Sequence, residues 1–330
     1  MKRHKTSLNI FLNALVLLLL LVIVLCAIKI VYSVVSPAVS IPEETIPSKT
    51  IVRNGVEYFP RQDITVFMLM GIDRYGPVQA SSSYTNTGEA DMVELAVFDE
   101  TAKSYKVLLL NRDTMLEMPV LGIGGKDAGT AFGQLALAHT YGSGLKDSCE
   151  NTRKTVSNFL YGIDIDHYMS MNMDAISILT DAVGGVKVNV TDDFSAVDST
   201  IPMGETTLTG AQAFNFVQNR KDVGNEMNVS RMARHREFMG GFMSSLNSKL
   251  KANESFVLET YNSVSPYLVT SCAVDTLSTM LSRYADYTFE GVTSPQGENV
   301  KGREFMEFHV DKTAFDSLVL DLFYSEKNLK

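Results

Sequence analysis

Three stretches of the chain differ in how apolar and polar residues are arranged. Residues 8–28 are almost wholly apolar, interrupted by two asparagines, and a helix of about 20 apolar residues spans the hydrocarbon core of a membrane. Residues 36–60 contain four prolines and few long apolar runs, a composition typical of a stiff spacer. The pattern predicts a membrane anchor over residues 1–35, a linker over 36–62 and a folded domain over 63–330.

The charged residues around the apolar run predict its orientation. Lys2, Arg3 and Lys5 precede it, and positive charges beside a membrane span favour the cytoplasmic side. A cleaved signal peptide is the alternative, but its apolar region would be about 7–15 residues long and would end at a small-residue cleavage site. Residues 29–35 offer no convincing site of that kind. We therefore expect a single-pass protein of the cell membrane, with a cytoplasmic N-terminus and an extracellular C-terminal domain.

Strand and helix patterns alternate through the rest of the chain. The run ITVFMLM at residues 64–70 is continuously apolar, as in a strand that is buried on both faces. Residues 92–98 and 105–110 predict two further strands, and helices are expected over 149–160, 175–183 and 228–250. This alternation predicts an α/β fold, a layered α/β/α domain around a central mixed β-sheet.

Composition narrows the class of protein. The 330 residues are 45% hydrophobic, enough for one substantial core, and the formal net charge of −9 argues against a protein that binds nucleic acid. Of the three cysteines, Cys26 lies in the predicted anchor. Cys149 and Cys272 lie in the exported part, where they form either a disulfide or two buried thiols.

Charged residues gather where predicted strands begin and end. Asp73 and Arg74 directly follow the first strand, Asp91 directly precedes the second, and Arg112 and Asp113 follow the third. Ligand-binding groups of α/β sheets collect at strand ends, and Mg²⁺ in proteins is often held by one or two carboxylates together with phosphate oxygens. Asp73 and Asp91 are therefore candidates to share one Mg²⁺, with ordinary loop or cap residues as the alternative.

Arginines concentrate at the junction of two predicted helices. Arg220 closes one helix, while Arg231 and Arg234 open the next at a spacing that places them on one face. Arginine is suited to bidentate phosphate recognition, so a net-acidic chain with arginines at this point predicts an anion site. A solvated helix face is the alternative, and the spacing alone does not decide between them.

Together these stretches resemble the LytR–CpsA–Psr family of bacterial cell-wall glycopolymer ligases. The resemblance covers about residues 63–325 and rests on the following strings, in this order: FMLMGIDRYG, EADMVELAVFDE, VLLLNRDTMLEMP, LALAHTYG, GIDIDHYMSMNMDAISILTDAVGGVKVNV, and LTGAQAFNFVQNRKD followed by RMARHREFM.

The resemblance implies a membrane-anchored transferase. Its donor would be a glycopolymer, such as teichoic acid or capsule, linked to a polyprenyl pyrophosphate, and its acceptor a hydroxyl of peptidoglycan, so that the product is a phosphodiester. It also implies a long apolar pocket for the polyprenyl chain. Two alternatives stay open: a lipid-pyrophosphate phosphatase, with water as the acceptor, and a non-enzymatic surface protein that binds or regulates the lipid-linked polymer.

The same resemblance implies roles for individual residues. Asp73 and Asp91 correspond to the family's Mg²⁺-binding and catalytic carboxylates, and Arg112 to the catalytic arginine beside the metal. The residues expected to bind the pyrophosphate are Arg74, Arg112, Asp113, Arg220, Arg231 and Arg234. Gln218 and Glu89 depart from the pattern, because arginine is usual at both positions; their effect on substrate choice stays open.

Overall fold

The computed structural model describes residues 50–326 except 220, 225–227 and 254. The predicted anchor and most of the predicted linker lie outside these residues. None of the helices in the described part of the chain combines the length and the apolar composition needed to cross a membrane.

The described residues form strands and helices throughout. The strands are β1 (Ile51–Arg53), β2 (Val56–Pro60), β3 (Ile64–Ile72), β4 (Ala90–Asp99), β5 (Ser104–Leu110), β6 (Met115–Leu121), β7 (Asp127–Gln134), β8 (His167–Asn172), β9 (Val186–Val190), β10 (Gly204–Leu208), β11 (Leu268–Thr270), β12 (Thr288–Thr293), β13 (Gly297–Lys301), β14 (Met306–Val310) and β15 (Tyr324–Glu326). The α-helices are α1 (Lys146–Phe159), α2 (Asp174–Ala182), α3 (Gly210–Gln218), α4 (Asn228–Ala252), α5 (Phe256–Val264), α6 (Val274–Tyr284) and α7 (Lys312–Phe323). Short 3₁₀ helices span Ile123–Gly125, Leu135–Thr140 and Ser265–Tyr267.

A six-stranded mixed sheet forms the centre of the domain, in the order β11-β8-β3-β4-β5-β12. The pairs β3–β4, β4–β5 and β8–β11 are antiparallel, whereas β3–β8 and β5–β12 are parallel. The strands expected over residues 64–70, 92–98 and 105–110 are confirmed as β3, β4 and β5. The helices expected over residues 149–160, 175–183 and 228–250 are confirmed as α1, α2 and α4. The sheet is mixed, as predicted.

Helices cover both faces of this sheet. On one face, α1 and α7 pack against alternate residues of β3, among them Met68 and Met70. On the other face, α2, α5 and α6 pack near Phe67 and Met169. Because β3 is buried on both faces, its sequence is continuously apolar rather than alternating. The layered α/β/α expectation is therefore confirmed.

The folded domain begins earlier than the predicted boundary at residue 63. Residues 51–60, within the predicted linker, form the antiparallel hairpin β1–β2, and β2 also pairs with the C-terminal strand β15. Asn54 and Gly55 make the turn with φ of 49° and 80°, and Asn-Gly is the strongest short hairpin signal because both central residues need positive φ. The prolines on either side masked this signal.

Cys149 and Cys272 are separate, unbridged thiols. Cys149 on α1 belongs to the core on one face of the sheet, and Cys272 belongs to the core on the opposite face. A disulfide needs its two Cα atoms within about 7 Å, which side chains on opposite faces of a sheet do not meet. Burial raises the pKa of Cys149 to about 12, so its thiol stays protonated and serves as a small buried group.

Candidate active site

Asp73 and Asp91 meet at one end of the central sheet. β3 ends at Ile72 and β4 runs antiparallel beside it from Ala90, so the residue after β3 lies beside the start of β4. The peptide N–H of Asp73 donates a hydrogen bond to the carbonyl of Glu89, at 2.9 Å. Asp73 is exposed, whereas Asp91 lies within β4, not before it as predicted, and its side chain is 14% exposed. The predicted proximity of the two carboxylates follows from this antiparallel pairing.

Two arginines enclose the Asp91 carboxylate. Arg112 follows β5 and donates through Nη1 to Asp91 Oδ1 and through Nη2 to Glu89 Oε2. Arg231, near the start of α4, donates through Nη1 to Asp91 Oδ2 at 3.0 Å. Both arginines are largely buried. Residues at the ends of three strands, β3, β4 and β5, and one from α4 thus assemble a compact cluster of two cations and three carboxylates, including Asp73.

The charges of this cluster shift the pKa of its members. Although Asp73 is exposed as a residue, partial desolvation of its carboxyl raises the pKa of that group, and the nearby carboxylates of Asp91 and Glu89 raise it further, against the opposing effect of Arg112 and Arg231. Burial by itself lowers the pKa of Arg112, but its carboxylate neighbours outweigh burial and raise it. Arg112 therefore stays cationic, and Asp73 is the carboxylate whose affinity for a proton is increased.

Asp113 lies behind Arg112, as expected of a residue that orients it. Its buried carboxylate accepts a hydrogen bond from Gln134 Nε2 at 2.8 Å and lies 3.5 Å from Arg112 Nε. The peptide N–H of Asp113 donates to Asn111 Oδ1 at 3.0 Å, which fixes the turn after β5. Sequence analysis did not single out Gln134, which lies 21 residues further along the chain and donates to Oδ1, the same oxygen of Asp113 that Arg112 Nε approaches.

Arg234 shares a helix face with Arg231 but contacts different groups. Its Nε donates to the carbonyl of Phe216 at 2.9 Å, its Nη2 donates to the carbonyl of Asn219, and its Nη1 contacts Asp192 at 2.6 Å. The last carbonyls of a helix lack partners within the helix, so these contacts stabilise the end of α3. No described contact joins Arg234 to Asp91 or Arg112, and its predicted role at the pyrophosphate stays a prediction.

The other predicted basic residues are placed differently. Arg74 is exposed next to Asp73, and its carbonyl accepts the N–H of Met173 at 2.9 Å. No described ion pair involves its guanidinium. Arg220 lies outside the described residues. Gln218, where arginine was expected, donates through Nε2 to Tyr75 Oη, while Glu89, at the other unusual position, is the carboxylate partner of Arg112.

An apolar cavity opens beside the cluster. Asp91, Gln218 and Arg231 line one part of it, together with apolar residues of β3, β4, β8, α2 and α4. A second, larger cavity of about 220 Å³ continues between the sheet and α4, α5 and α6. The two share the wall residues Leu69, Met171, Leu179, Met239 and Phe242. The apolar pocket that the resemblance implied is therefore present and reaches Arg231, whereas Arg112 does not line it.

Comparison with known proteins identifies the family of this chain. The family model described as the LytR_cpsA_psr family matches residues 32–319. The chain belongs to the LytR–CpsA–Psr family. A curated relative, the polyisoprenyl-teichoic acid–peptidoglycan teichoic acid transferase TagU of Halalkalibacterium halodurans, is 33% identical over 161 residues, covering 48% of this chain and 46% of that protein. The chain thus matches about half the length of this relative.

Solved structures share the fold of this chain. The protein gbs0355 from Streptococcus agalactiae has a TM-score of 0.64 at 19% identity, covering 79% of this chain and 86% of that one. A structure described as TagT bound to LIIa-WTA has a TM-score of 0.60 at 20% identity, covering 79% of this chain and 90% of that one. At these identities the likeness concerns the fold.

The carboxylates of this LytR–CpsA–Psr chain suit Mg²⁺ only together with further ligands. No three His, Cys, Asp or Glu side chains of the described residues converge into a ready metal site, and both oxygens of Asp91 already accept hydrogen bonds from arginines. Asp73, however, is exposed, and the neighbouring carboxylates of Asp91 and Glu89 add to the effect of desolvation in raising the pKa of its carboxyl. Because Mg²⁺ binds one or two carboxylates plus phosphate oxygens, this donor set fits Mg²⁺ bound together with a phosphorylated ligand.

Proposed function

We propose that this protein is a phosphotransferase that attaches an anionic glycopolymer, carried on a polyprenyl pyrophosphate, to peptidoglycan through a phosphodiester. The observation that carries the proposal is the pair Arg112 and Arg231 around Asp91, at an apolar cavity that Arg231 itself lines. Cationic groups beside an apolar cavity match a ligand with an anionic phosphate head and a hydrocarbon chain. A polymer on a polyprenyl pyrophosphate has both parts.

Family membership and the named relatives support this proposal. The relative from Halalkalibacterium halodurans is named as a transferase that acts between polyisoprenyl-teichoic acid and peptidoglycan, and the structure of TagT has LIIa-WTA bound. The predicted anchor over residues 1–35 would hold the domain on the outer side of the cell membrane, where a lipid-linked donor and peptidoglycan are both within reach. The activated bond then arrives with the lipid, so that no nucleotide is required.

The reaction is a displacement at the phosphorus that bears the polymer. The acceptor hydroxyl oxygen forms a bond to that phosphorus, the bond to the bridging oxygen breaks, and polyprenyl phosphate leaves with the electron pair. Asp73, the exposed carboxylate of the cluster, accepts the proton of the hydroxyl as the general base.

Positive charge stabilises the leaving phosphate. Arg112 and Arg231 exchange their hydrogen bonds to carboxylates for bonds to phosphate oxygens, as fixed donors aimed at developing charge do in other enzymes. Asp113 positions Arg112, and Arg74 faces the solvent beside Asp73, where it would contact the polymer end of the donor. Mg²⁺, held by Asp73 and Asp91 together with the donor phosphates, would neutralise further charge there.

The test is transfer of a radiolabelled lipid-linked polymer to peptidoglycan by the full-length protein in detergent, with and without a chelator. We expect transfer by the wild type, loss of transfer under chelation and in Asp73→Asn, and no change in Glu298→Gln, a matched control on the exposed strand β13. Release of polymer into water without attachment would identify a phosphatase. Donor binding with neither transfer nor release would identify a binding protein.

A further inference from the structure

A polar cavity of about 340 Å³ opens beside the candidate active site. Ser170 and Asn172 of β8 and His139 of a 3₁₀ helix belong to its inner wall, and residues 74–81, a segment called the strap, line its outer side. Its volume lies within the roughly 300–1,000 Å³ that is usual for small-molecule sites. Of its lining residues, the proposed function uses Arg74 alone, so the rest of the cavity has no assigned ligand.

Hydrogen bonds hold the strap in place over this cavity. The carbonyl of Gly76 accepts a hydrogen bond from Asn172 Nδ2 at 2.8 Å. At the end of the strap, the peptide N–H of Ser81 donates to the carbonyl of Ser143 at 2.8 Å. The cavity is therefore formed before a ligand arrives, as small-molecule sites usually are.

The inner wall has buried polar groups with spare hydrogen-bonding capacity. Asn172 is 7% exposed, and its Oδ1 accepts no hydrogen bond from the described part of the chain. His139 is 2% exposed, and burial lowers its pKa, so its neutral ring donates through Nδ1 to the carbonyl of Gly88 and keeps Nε2 as an acceptor. The described contact of that Nε2 is the Cys149 thiol at 3.9 Å, too long for a strong hydrogen bond. Because buried polar groups are nearly always hydrogen-bonded, the wall suits a polar ligand.

The charge of the lining favours a neutral ligand. Among the described residues that line the cavity, Arg74 carries the single formal charge and none is acidic. A divalent cation would require carboxylate ligands, and a polyanion would require several cations. The amides and hydroxyls of the lining both donate and accept hydrogen bonds, which matches the hydroxyl and amide groups of a sugar ring.

The polar cavity and the first apolar cavity lie on opposite faces of the central sheet. Successive side chains of a strand point to opposite faces, and Ser170 lines the polar cavity whereas Met171 lines the apolar one. Asn172, the last residue of β8, lines both. It pairs with Ile72, the residue before Asp73. The two cavities therefore meet at the end of the sheet that carries Asp73.

Asp73 connects the two cavities. Its chain neighbours Ile72 and Arg74 line the polar cavity, while Asp91 and Arg231, whose charges act on its carboxyl, line the first apolar cavity. In a displacement at phosphorus, the attacking and leaving oxygens lie roughly in line. If the lipid phosphate leaves on the apolar side, the attacking hydroxyl has to approach from the opposite side, where the polar cavity opens.

We propose that the polar cavity beneath the strap binds a sugar ring of the acceptor glycan and directs one of its hydroxyls to Asp73. The hydroxyl oxygen then bonds to phosphorus, its proton passes to Asp73, and polyprenyl phosphate leaves with the electron pair of the broken bond. Arg74 is exposed and remains available to the polymer end of the donor. The inference rests on the proposed function, which supplies the donor, but glycan binding is measurable without a donor, so the two proposals are able to fail separately.

The first test adds volume to the cavity with Ala80→Phe in the full-length protein in detergent. Ala80 is an exposed residue of the strap that lines the cavity, and the substitution removes no polar group. The probe is a fluorescently labelled, peptide-free tetrasaccharide of the peptidoglycan glycan, and its binding is followed by fluorescence polarisation without donor. We expect binding to weaken by about tenfold or more, because the added ring and the sugar compete for the same space. Ala196→Phe, on the exposed loop between β9 and β10, is the matched control and should bind like the wild type.

The second test removes one amide of the strap with Gln79→Ala. We expect about three- to tenfold weaker glycan binding, as the loss of one hydrogen bond allows. Gln62→Ala, at an exposed glutamine before β3, should leave binding unchanged. In the transfer assay with the unlabelled tetrasaccharide as acceptor, both strap variants should raise the KM for the glycan and keep the KM for the lipid-linked donor. A merely structural role would change both constants.

Three results would overturn the inference. They are no binding of the tetrasaccharide by the wild type, wild-type glycan binding in both strap variants, and a raised KM for the donor with an unchanged KM for the glycan, which would place the donor polymer in the cavity. If the strap variants weaken glycan binding but the wild type transfers no polymer, the proposed function alone is wrong. If polymer is transferred and the strap variants bind the glycan like the wild type, the polar site alone is wrong.

Discussion

Asp91 and Glu94 lie three residues apart on β4, yet their surroundings are opposite. Asp91 lies at the mouth of the cavity, where Arg112 and Arg231 contact its two oxygens. Glu94 lies deeper, between leucines, where burial without a cation raises the pKa of its carboxyl to about 8. Partners, rather than burial alone, decide whether a carboxyl inside a protein keeps its charge. One strand therefore carries an ionic end and an apolar middle, as an amphiphilic ligand requires.

The largest expected effect comes from removing the ionic end. Asp91→Ala should lower transfer by roughly 10²–10³-fold, because the arrangement of charge around the leaving phosphate would be lost. It should also destabilise the fold by several kcal/mol, since it leaves two buried guanidinium groups without their shared carboxylate. Transfer assays and thermal melting check the two effects. Wild-type transfer in Asp91→Ala would remove this residue from the site.

The second effect is at Glu94, where a substitution should increase the stability of the fold instead of lowering it. Because burial raises the pKa of its carboxyl from 4.5 to about 8, the folded state holds a proton that the unfolded state releases between these pH values. Stability therefore falls as pH rises through this window. Each pKa unit corresponds to about 1.4 kcal/mol, so Glu94→Leu should stabilise the protein by a few kcal/mol at pH 8 and by little at pH 4. The measurement is the melting temperature of Glu94→Leu and of the control Glu298→Gln across this pH range. Parallel curves for the two variants would contradict the comparison.

Arg231 and Arg234 extend the comparison to α4. Arg231→Lys should reduce transfer by about tenfold with little loss of stability, because lysine keeps the charge but not the planar donor geometry. Arg234→Lys should lower stability by about 1–3 kcal/mol, because it leaves carbonyls at the end of α3 without their donors. Denaturant titration combined with the transfer assay separates the two. If Arg234→Lys and Arg231→Lys lost transfer to the same extent at equal stability, Arg234 would belong to the pyrophosphate site, as the sequence predicted.

The smallest effect is expected at Gln218. Gln218→Arg adds a positive charge at the wall of the first cavity and removes one hydrogen bond to Tyr75. We expect a folded protein and a few-fold tighter binding of the donor, since the added cation attracts its phosphates. Donor titration at low and high salt is the measurement, because screening should abolish the gain. Weaker binding would indicate that Gln218 makes a specific contact of its own.

Part of the candidate site could be predicted from the sequence, because it follows from the local pattern of apolar and charged residues. Asp73 and Arg112 come directly after apolar runs, and the ends of neighbouring strands in a sheet meet. The position of Glu94 was also visible, as a charged residue within the apolar run MVELAV, but its isolation was not. Whether a buried acid has a partner depends on side chains that come from other strands and helices.

The sequence by itself determined three adjacent strands of the central sheet, the α/β/α class, the positions of the acidic and basic motifs and the family. These are set by apolar periodicity and by short motifs, which are local along the chain. Only the tertiary structure decided that Glu89 pairs with Arg112, that Arg231 and Arg234 contact different groups, and that β2 pairs with β15. It also placed Cys149 and Cys272 on opposite faces of the sheet. Each of these features joins residues far apart in sequence, and such contacts are fixed by packing rather than by local preference.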